Sequence, residues 1–114
     1  MQHGCKTAPP LPARPAALPA ARVTYARLDA ASANSDQIAA LKPSVTINAS
    51  GPFQDQGYAL ARACIGAGSH YVDLADARAF VTGISQLDAD ARAAGVCVIS
   101  GASSVPGLSS AVVQ

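Results

Sequence analysis

Asparagine, serine, glycine and proline follow a short apolar run in residues 45–53, which read VTINASGPF. The apolar run is typical of a buried strand, and the residues from Ser50 to Gln56 are typical of a turn. In a parallel α/β sheet, ligands bind in the crevice at the carboxyl ends of the strands. A turn with an asparagine and a glycine could therefore enclose a flat ring with backbone atoms. The alternative is that Gly51 and Pro52 only reverse the chain.

Two further side chains with possible chemistry lie in residues 70–74, which read HYVDL. Asp73 stands between two apolar residues, where burial would raise the pKa of its carboxyl group and suit it to general acid-base catalysis. Alternatively, Asp73 caps the helix that is predicted to begin near Ala75, and capping is the favoured interpretation. Tyr71 could direct its hydroxyl group at a ligand or could pack in the core, and both interpretations stay open.

Strand and helix patterns alternate around these residues, which predicts an α/β domain with a parallel sheet of three to four strands and flanking helices. The predicted strands are residues 23–28, 44–49, 70–74 and 96–100, and right-handed helical crossovers should join the last three. One helix is predicted to have Asn34 or Ser35 as its amino-terminal cap and to end before Pro43. A second helix is predicted to begin at Gly57. A third is predicted over residues 75–94, with one apolar face and Gly95 at its end; that face carries Phe80, Ile84, Leu87 and Ala91.

Composition limits the class of protein. The chain has 114 residues, a net charge of +1 and 13% charged residues, so it carries no basic field for nucleic acid. Five of its eight prolines fall within residues 7–20. Residues 1–21 are therefore predicted to be a disordered proline- and alanine-rich tail with no strand before it, and residues 22–114 are predicted to form the domain. No apolar run is long enough to span a membrane, so a cytoplasmic location is expected.

Other candidate chemistry is poorly supported. The three cysteines are scattered, which predicts small buried hydrophobes and no disulfide. His3 and Cys5 lie close together without further ligands, so no metal site is expected. The serines near the carboxyl end lack a G-x-S-x-G motif and a well-placed histidine, so nucleophilic hydrolysis is not expected.

Four segments carry a resemblance to a known family: NASGPF, the segment ending ACIGAG, SHYVDLAD and SGASSVPGLSS. Together they resemble the nucleotide-binding domain of the saccharopine dehydrogenase family over residues 22–114. The resemblance implies a Rossmann fold and a dinucleotide-dependent oxidoreductase with NADP or NAD as cofactor and a small molecule as substrate. It places Asp29 near the adenine and Tyr71 and Asp73 on a crevice wall. It also implies a loop beneath the nicotinamide end of the cofactor, formed by Asn48, Ala49, Ser50, Gly51 and Pro52.

The chain departs from the family pattern in two places. The motif G-x-G-x-x-G, whose backbone binds the pyrophosphate, occurs nowhere. The sequence also ends soon after the P-G-L turn, where the family continues into a substrate domain. The chain is therefore interpreted as an incomplete piece of an oxidoreductase, with weak or no cofactor binding and no catalytic residue of its own. The alternative is a noncatalytic module that pairs with another chain, or with itself, through a free sheet edge.

In the Rossmann strand order, residues 23–28 would be separated from residues 44–49 by strands that this chain lacks. Unpaired backbone groups are costly when they are buried. We therefore predict that residues 23–28 pair in parallel directly beside residues 44–49; the competing outcome is a loosely held arm.

Overall fold

The computed structural model describes residues 2–3, 22–104 and 109–113. Its strands are β1 (Gln2–His3), β2 (Val45–Asn48), β3 (His70–Asp73) and β4 (Val98–Ile99). Its α-helices are α1 (Ser35–Leu41), α2 (Ala59–Ala67), α3 (Arg78–Gly83), α4 (Asp88–Ala94) and α5 (Ser109–Val113), and a 3-10 turn (Ile84–Leu87) joins α3 to α4. The P-G-L turn at residues 106–108 and most of the predicted tail lie outside the described residues.

The four strands form one sheet in the order β1-β4-β3-β2. Strand β3 pairs in parallel with β2 on one side and with β4 on the other, so the predicted three-stranded parallel core and the α/β class are confirmed. Strand β1 pairs antiparallel with β4, with Gln2 opposite Ile99. The prediction that no strand precedes the proline-rich segment is therefore wrong.

The prediction of a strand at residues 23–28 is also wrong. These residues have no regular secondary structure and do not pair with β2. Val23 is 68% exposed and Tyr25 is 95% exposed, and only Leu28 packs partly against the core. A single strand has little stability unless other elements cover its apolar face. Nothing in the described part of the chain covers the side chains of Val23 and Tyr25.

The first predicted helix is confirmed as α1. The side chain of Asn34 accepts a hydrogen bond from the backbone of Gln37, and the Gln37 side chain bonds back to the backbone of Asn34. This reciprocal pair is a capping box, which satisfies two amide groups that the first helical turn would otherwise leave unpaired. Lys42 ends α1 in a left-handed conformation directly before Pro43.

The predicted single helix over residues 75–94 is three shorter elements. Helix α3 begins only at Arg78, and the tighter 3-10 turn separates α3 from α4. Gly83 ends α3, and glycine weakens a helix because it loses the most backbone freedom. All four residues of the predicted apolar face, Phe80, Ile84, Leu87 and Ala91, are nonetheless buried. Gly95 ends α4 with a φ of 70°, as predicted.

The core lies on one face of the sheet. There, Tyr71 of β3 and Val98 of β4 pack with buried residues of α1, α2, the 3-10 turn and α4. A smaller cluster contains Phe53, Ala75, Phe80 and Val81. Because side chains alternate along a strand, Val45 and Ile47 of β2 point to the opposite face, where they are 49% and 67% exposed.

The cysteines behave differently from one another. Cys64 is free and buried in α2, and burial raises the pKa of its thiol. Cys97 is disulfide-bonded, so the expectation of no disulfide is wrong. In the described segments, no helix is long and apolar enough to cross a membrane.

Candidate functional site

The turn after β2 is built around the side chain of Asn48, which is buried. Asn48 Oδ1 accepts hydrogen bonds from the backbone N–H of Ser50 at 3.0 Å and from Ser50 Oγ at 2.5 Å. A side chain that bonds its own backbone two residues later makes an Asx turn, which fixes the direction of the chain as it leaves the sheet. Gln56 Nε2 donates to the carbonyl oxygen of Ser50 at 2.6 Å, so the loop is also held from its far side. The Gly51–Pro52 peptide bond is cis.

A pocket of about 190 Å³ lies beside this turn, at the carboxyl end of β2 and the amino end of α2. Alanine and glycine make half of its ten lining residues, and its polar side chains are those of Asn48, Tyr71, Asp55 and Gln56. The remaining lining residues are Ala30, Ala31, Gly57, Ala59, Leu60 and Ala61. The predicted crevice at the strand ends therefore exists, and its one charged side chain is a carboxylate.

Asp29 is close to this pocket but does not line it. Its Oδ1 accepts from the backbone N–H of Ala31, and its Oδ2 accepts from Ser32 Oγ, both at 3.0 Å. These bonds form the turn that brings Ala30 and Ala31 to the pocket wall. The structure thus gives Asp29, which is exposed, a role in shaping that wall.

Tyr71 is almost fully buried, and its hydroxyl group accepts a hydrogen bond from Asn48 Nδ2 at 3.1 Å. Burial raises the pKa of Tyr71 well above its ordinary value, and the nearby charge of Asp73 raises it further. The phenol is therefore neutral at physiological pH. Tyr71 both packs in the core and lines the pocket, so both interpretations of this residue describe part of its environment.

Asp73 is fully buried, and it does not cap a helix. The residue at the amino end of α3 is Ala77, which has no side-chain cap, so the favoured capping interpretation is wrong. Asp73 Oδ1 instead accepts from Ser100 Oγ at 2.8 Å, from Gly101 N at 3.0 Å and from Ala75 N at 3.1 Å. These bonds join the loops that follow β3 and β4, because both loops start at the same edge of the sheet.

An aromatic cluster that the sequence analysis missed anchors the far end of the loop. The ring of Phe80 lies 5.2 Å from that of Phe53 and 4.7 Å from that of Tyr58. Tyr58 Oη donates to the carbonyl oxygen of Phe80 at 2.7 Å. The predicted residues Ala49 to Pro52 are exposed between this cluster and Asn48. The only sequence signal for the cluster was the apolar face that included Phe80.

The amino-acid sequence that builds these features matches the profile of a known domain. The profile of the saccharopine dehydrogenase NADP binding domain covers residues 5–99. The chain belongs to this family. The match begins within the segment that was predicted to be a tail, whereas the resemblance was placed from residue 22. No curated protein and no solved structure matches the chain.

The described part of this NADP binding domain fits one portion of a dinucleotide better than another. The pocket is small, and residues 49–52 of the turn beside it are exposed. Its charged residue, Asp55, disfavours a phosphate group by like-charge repulsion. The sequence contains no glycine-rich turn and this pocket contains no cation, so the residues present offer neither of these contacts to a pyrophosphate group. In the part of the chain that the structure describes, no group of three histidines, cysteines or acidic residues could hold a metal ion.

Proposed function

We propose that this chain is an NAD(P)-binding module of an oxidoreductase and that it contributes the nicotinamide side of the dinucleotide site. The observation that carries the proposal is Asn48, a buried amide at the carboxyl end of a parallel strand that both holds the following turn and lines the pocket. The family match supports the choice of ligand class. The domain boundary near residue 22 remains a prediction.

In this proposal the cofactor supplies the hydride, and the chain supplies position. The exposed residues 49–52 would lie under the ring, and the pocket wall at Ala30 and Ala31 would limit where the ring sits. We assign no catalytic residue. Asp73 is fully buried with three donors on one oxygen, and the raised pKa of Tyr71 keeps its hydroxyl group protonated.

Binding should be weak. The glycine-rich turn that gives a dinucleotide its charge-assisted phosphate contacts is absent from the sequence. The remaining contacts must offset the entropy lost on association. We expect dissociation constants in the millimolar range or higher, which corresponds to about -4 kcal/mol or less favourable.

An NMR titration that uses the two halves of the cofactor separately tests the proposal. We expect nicotinamide mononucleotide to shift the amide resonances of Ser50, Gly51 and Gly57, and we expect adenosine 2′,5′-bisphosphate to leave them in place. Shifts with the adenosine compound alone would refute the nicotinamide assignment. Micromolar binding of intact NADP or NAD would show that the glycine-rich turn is dispensable.

Two glutamines provide a matched pair of variants for this titration. Gln56 Nε2 donates to the carbonyl oxygen of Ser50, and Gln86 Nε2 donates to that of Gly83; Gln56 lines the pocket and Gln86 does not. Gln56→Ala should reduce the shifts caused by nicotinamide mononucleotide because the loop loses its second support. Gln86→Ala should leave them unchanged.

A second candidate function is self-association through β2. In the described part of the chain, β2 forms one edge of the sheet, and Val45–Asn48 contains no charge or proline of the kind that protects an edge. Val45 and Ile47 add two exposed apolar side chains. Sedimentation over a range of concentrations tests this candidate: association that Ile47→Lys abolishes would support it, and a monomer at all concentrations would refute it.

A further inference from the structure

The hydrogen bonds of Asn48 fix the direction of the bond that it makes with Tyr71. A backbone N–H can only donate, so the atom of Asn48 that faces Ser50 N must be Oδ1. The amide nitrogen of Asn48 must then be the atom 3.1 Å from the hydroxyl group of Tyr71. Because that nitrogen also only donates, the oxygen of Tyr71 accepts. The hydroxyl hydrogen of Tyr71 must therefore point to another acceptor.

Asp73 offers that acceptor. The three hydrogen bonds to its carboxylate all end on Oδ1, and Oδ2 is buried without a hydrogen-bond partner among the described residues. Tyr71 precedes Asp73 by two residues on the same face of β3, and the charge of Asp73 contributes to the raised pKa of Tyr71. The two side chains are therefore neighbours. A buried carboxylate oxygen without a donor is unfavourable, which favours a hydrogen bond from the hydroxyl group of Tyr71.

We propose that Asp73, Tyr71 and Asn48 form one directed hydrogen-bond chain, in which Tyr71 donates to Asp73 Oδ2, Asn48 donates to Tyr71 and Ser50 donates to Asn48. Asp73 and Tyr71 are then positioning residues that hold the loop through Asn48. This assignment differs from the role in cofactor contact that the sequence resemblance implied for them. That this hydrogen-bond chain supports a dinucleotide site rests on the proposed function. The hydrogen bonds themselves do not depend on that function.

The sheet explains why these three residues meet. Asn48 is opposite Asp73 in the register of β2 and β3, and Tyr71 precedes Asp73 by two residues on the same face. Ser100, which follows β4, bonds to the other oxygen of Asp73. The carboxylate thus links the ends of all three parallel strands, and the loop at residues 48–52 receives its position from the sheet.

The composition of the chain allows a direct test in the free protein. The sequence contains two asparagines, Asn34 and Asn48, so selective ¹⁵N labelling of asparagine gives two side-chain amide groups. Asn34 caps α1 by accepting from Gln37 N at 2.9 Å, and it serves as the internal control. In Tyr71→Phe, we expect solvent exchange of the Asn48 side-chain amide to increase about tenfold while that of Asn34 stays the same. Unchanged exchange at Asn48 would overturn the proposal.

A second measurement needs no folded variant. With ¹³Cζ-labelled tyrosine in an equal mixture of H₂O and D₂O, a slowly exchanging hydroxyl group gives two resolved signals and a rapidly exchanging one gives a single averaged signal. We expect two signals for Tyr71 and one for Tyr25, which is 95% exposed. A single averaged signal for Tyr71 in the unmodified protein would overturn the proposal. Asp73→Asn, which replaces the acceptor with a donor, should convert the two signals into one.

Neither measurement contains a cofactor. Failure of nicotinamide mononucleotide to bind would therefore refute the proposed function and leave the hydrogen-bond chain standing. Rapid exchange of the Tyr71 hydroxyl group together with binding of nicotinamide mononucleotide would refute the hydrogen-bond chain and leave the proposed function standing.

Discussion

Phe53 packs against Phe80 with the two ring centroids 5.2 Å apart and the ring planes inclined at 56°. Phe53 directly follows Pro52, and Phe80 lies in α3, so this contact ties the end of the candidate cofactor loop to the helix that follows β3. Asn48 holds the start of the same loop. The exposed residues 49–52 are therefore fixed at both ends by buried side chains, which is the arrangement that a preformed ligand site requires.

Removing the Phe80 ring should destabilise the protein and free the loop. We expect Phe80→Ala to lower the free energy of unfolding by about 3–5 kcal/mol, because it removes a buried ring that contacts both Phe53 and Tyr58. Urea unfolding measures this change, and amide exchange at Gly51 reports on the loop. Ala79→Ser on the exposed side of α3 is the control, with an expected change within about 0.5 kcal/mol. Equal stability of the two variants would contradict the packing described.

The sequence predicted those parts of the molecule whose local pattern agrees with their burial. Residues 44–49, 70–74 and 96–100 each contain a short run with strand-forming residues and pair with one another, and Asn34 has the residue type and spacing of a cap. Residues 23–28 also have the alternating side-chain pattern of a strand. That pattern stabilises a strand only where a neighbouring strand pairs with it and a helix covers it. Local pattern could not reveal that both are missing among the described residues.

The candidate site was only partly predictable for the same reason. The turn at Asn48 could be located because strand and turn residues adjoin in sequence. The contacts of Asp73 with Ser100 and of Phe53 with Phe80 join segments far apart in the chain, so no local spacing indicates them. Asp73 has the local pattern of a helix cap, and it differs from that prediction because the loop after β4 supplies closer donors than the distant start of α3.

The cap of α1 predicts a small and specific loss of stability. Asn34→Ala removes the acceptor for Gln37 N and should lower the free energy of unfolding by about 1 kcal/mol. Asn34→Gly should cost only a few tenths of a kcal/mol, since glycine also suits the first capping position. Urea unfolding of both variants checks the order. A larger loss for glycine than for alanine would show that Asn34 stabilises the protein by some means other than capping.

Asp73 should be far more important for stability than its exposed neighbour Asp76. Asp73→Ala removes the carboxylate that accepts from the N–H groups of Ala75 and Gly101 and from the hydroxyl group of Ser100. We expect the free energy of unfolding to fall by about 3 kcal/mol or more, because each buried unpaired group costs about 1–3 kcal/mol. Asp76→Ala should change it by less than about 0.5 kcal/mol. Circular dichroism during urea unfolding distinguishes the two, and similar losses would contradict the role assigned to Asp73.

The raised pKa of Tyr71 predicts how stability changes in alkaline solution. In the unfolded chain, Tyr71 should lose its proton near its ordinary pKa of 10.0, whereas in the folded protein burial and then the charge of Asp73 hold the pKa higher. Above pH 10 the folded state therefore binds more protons than the unfolded state at this residue. The contribution of Tyr71 to stability is complete below pH 10 and is lost as the pH rises, by up to about 1.4 kcal/mol per pH unit.

Tyr71→Phe separates this effect from every other group that titrates in the same range. The thiol of Cys64 and the phenol of Tyr58 also have raised pKa values, but they are present in both proteins. Urea unfolding at pH 8, 9, 10 and 11 should show a steeper loss of stability for the unmodified protein, so that its difference from Tyr71→Phe narrows above pH 10. Parallel curves for the two proteins would mean that Tyr71 ionises as readily when folded as when unfolded, which its burial beside a carboxylate does not allow.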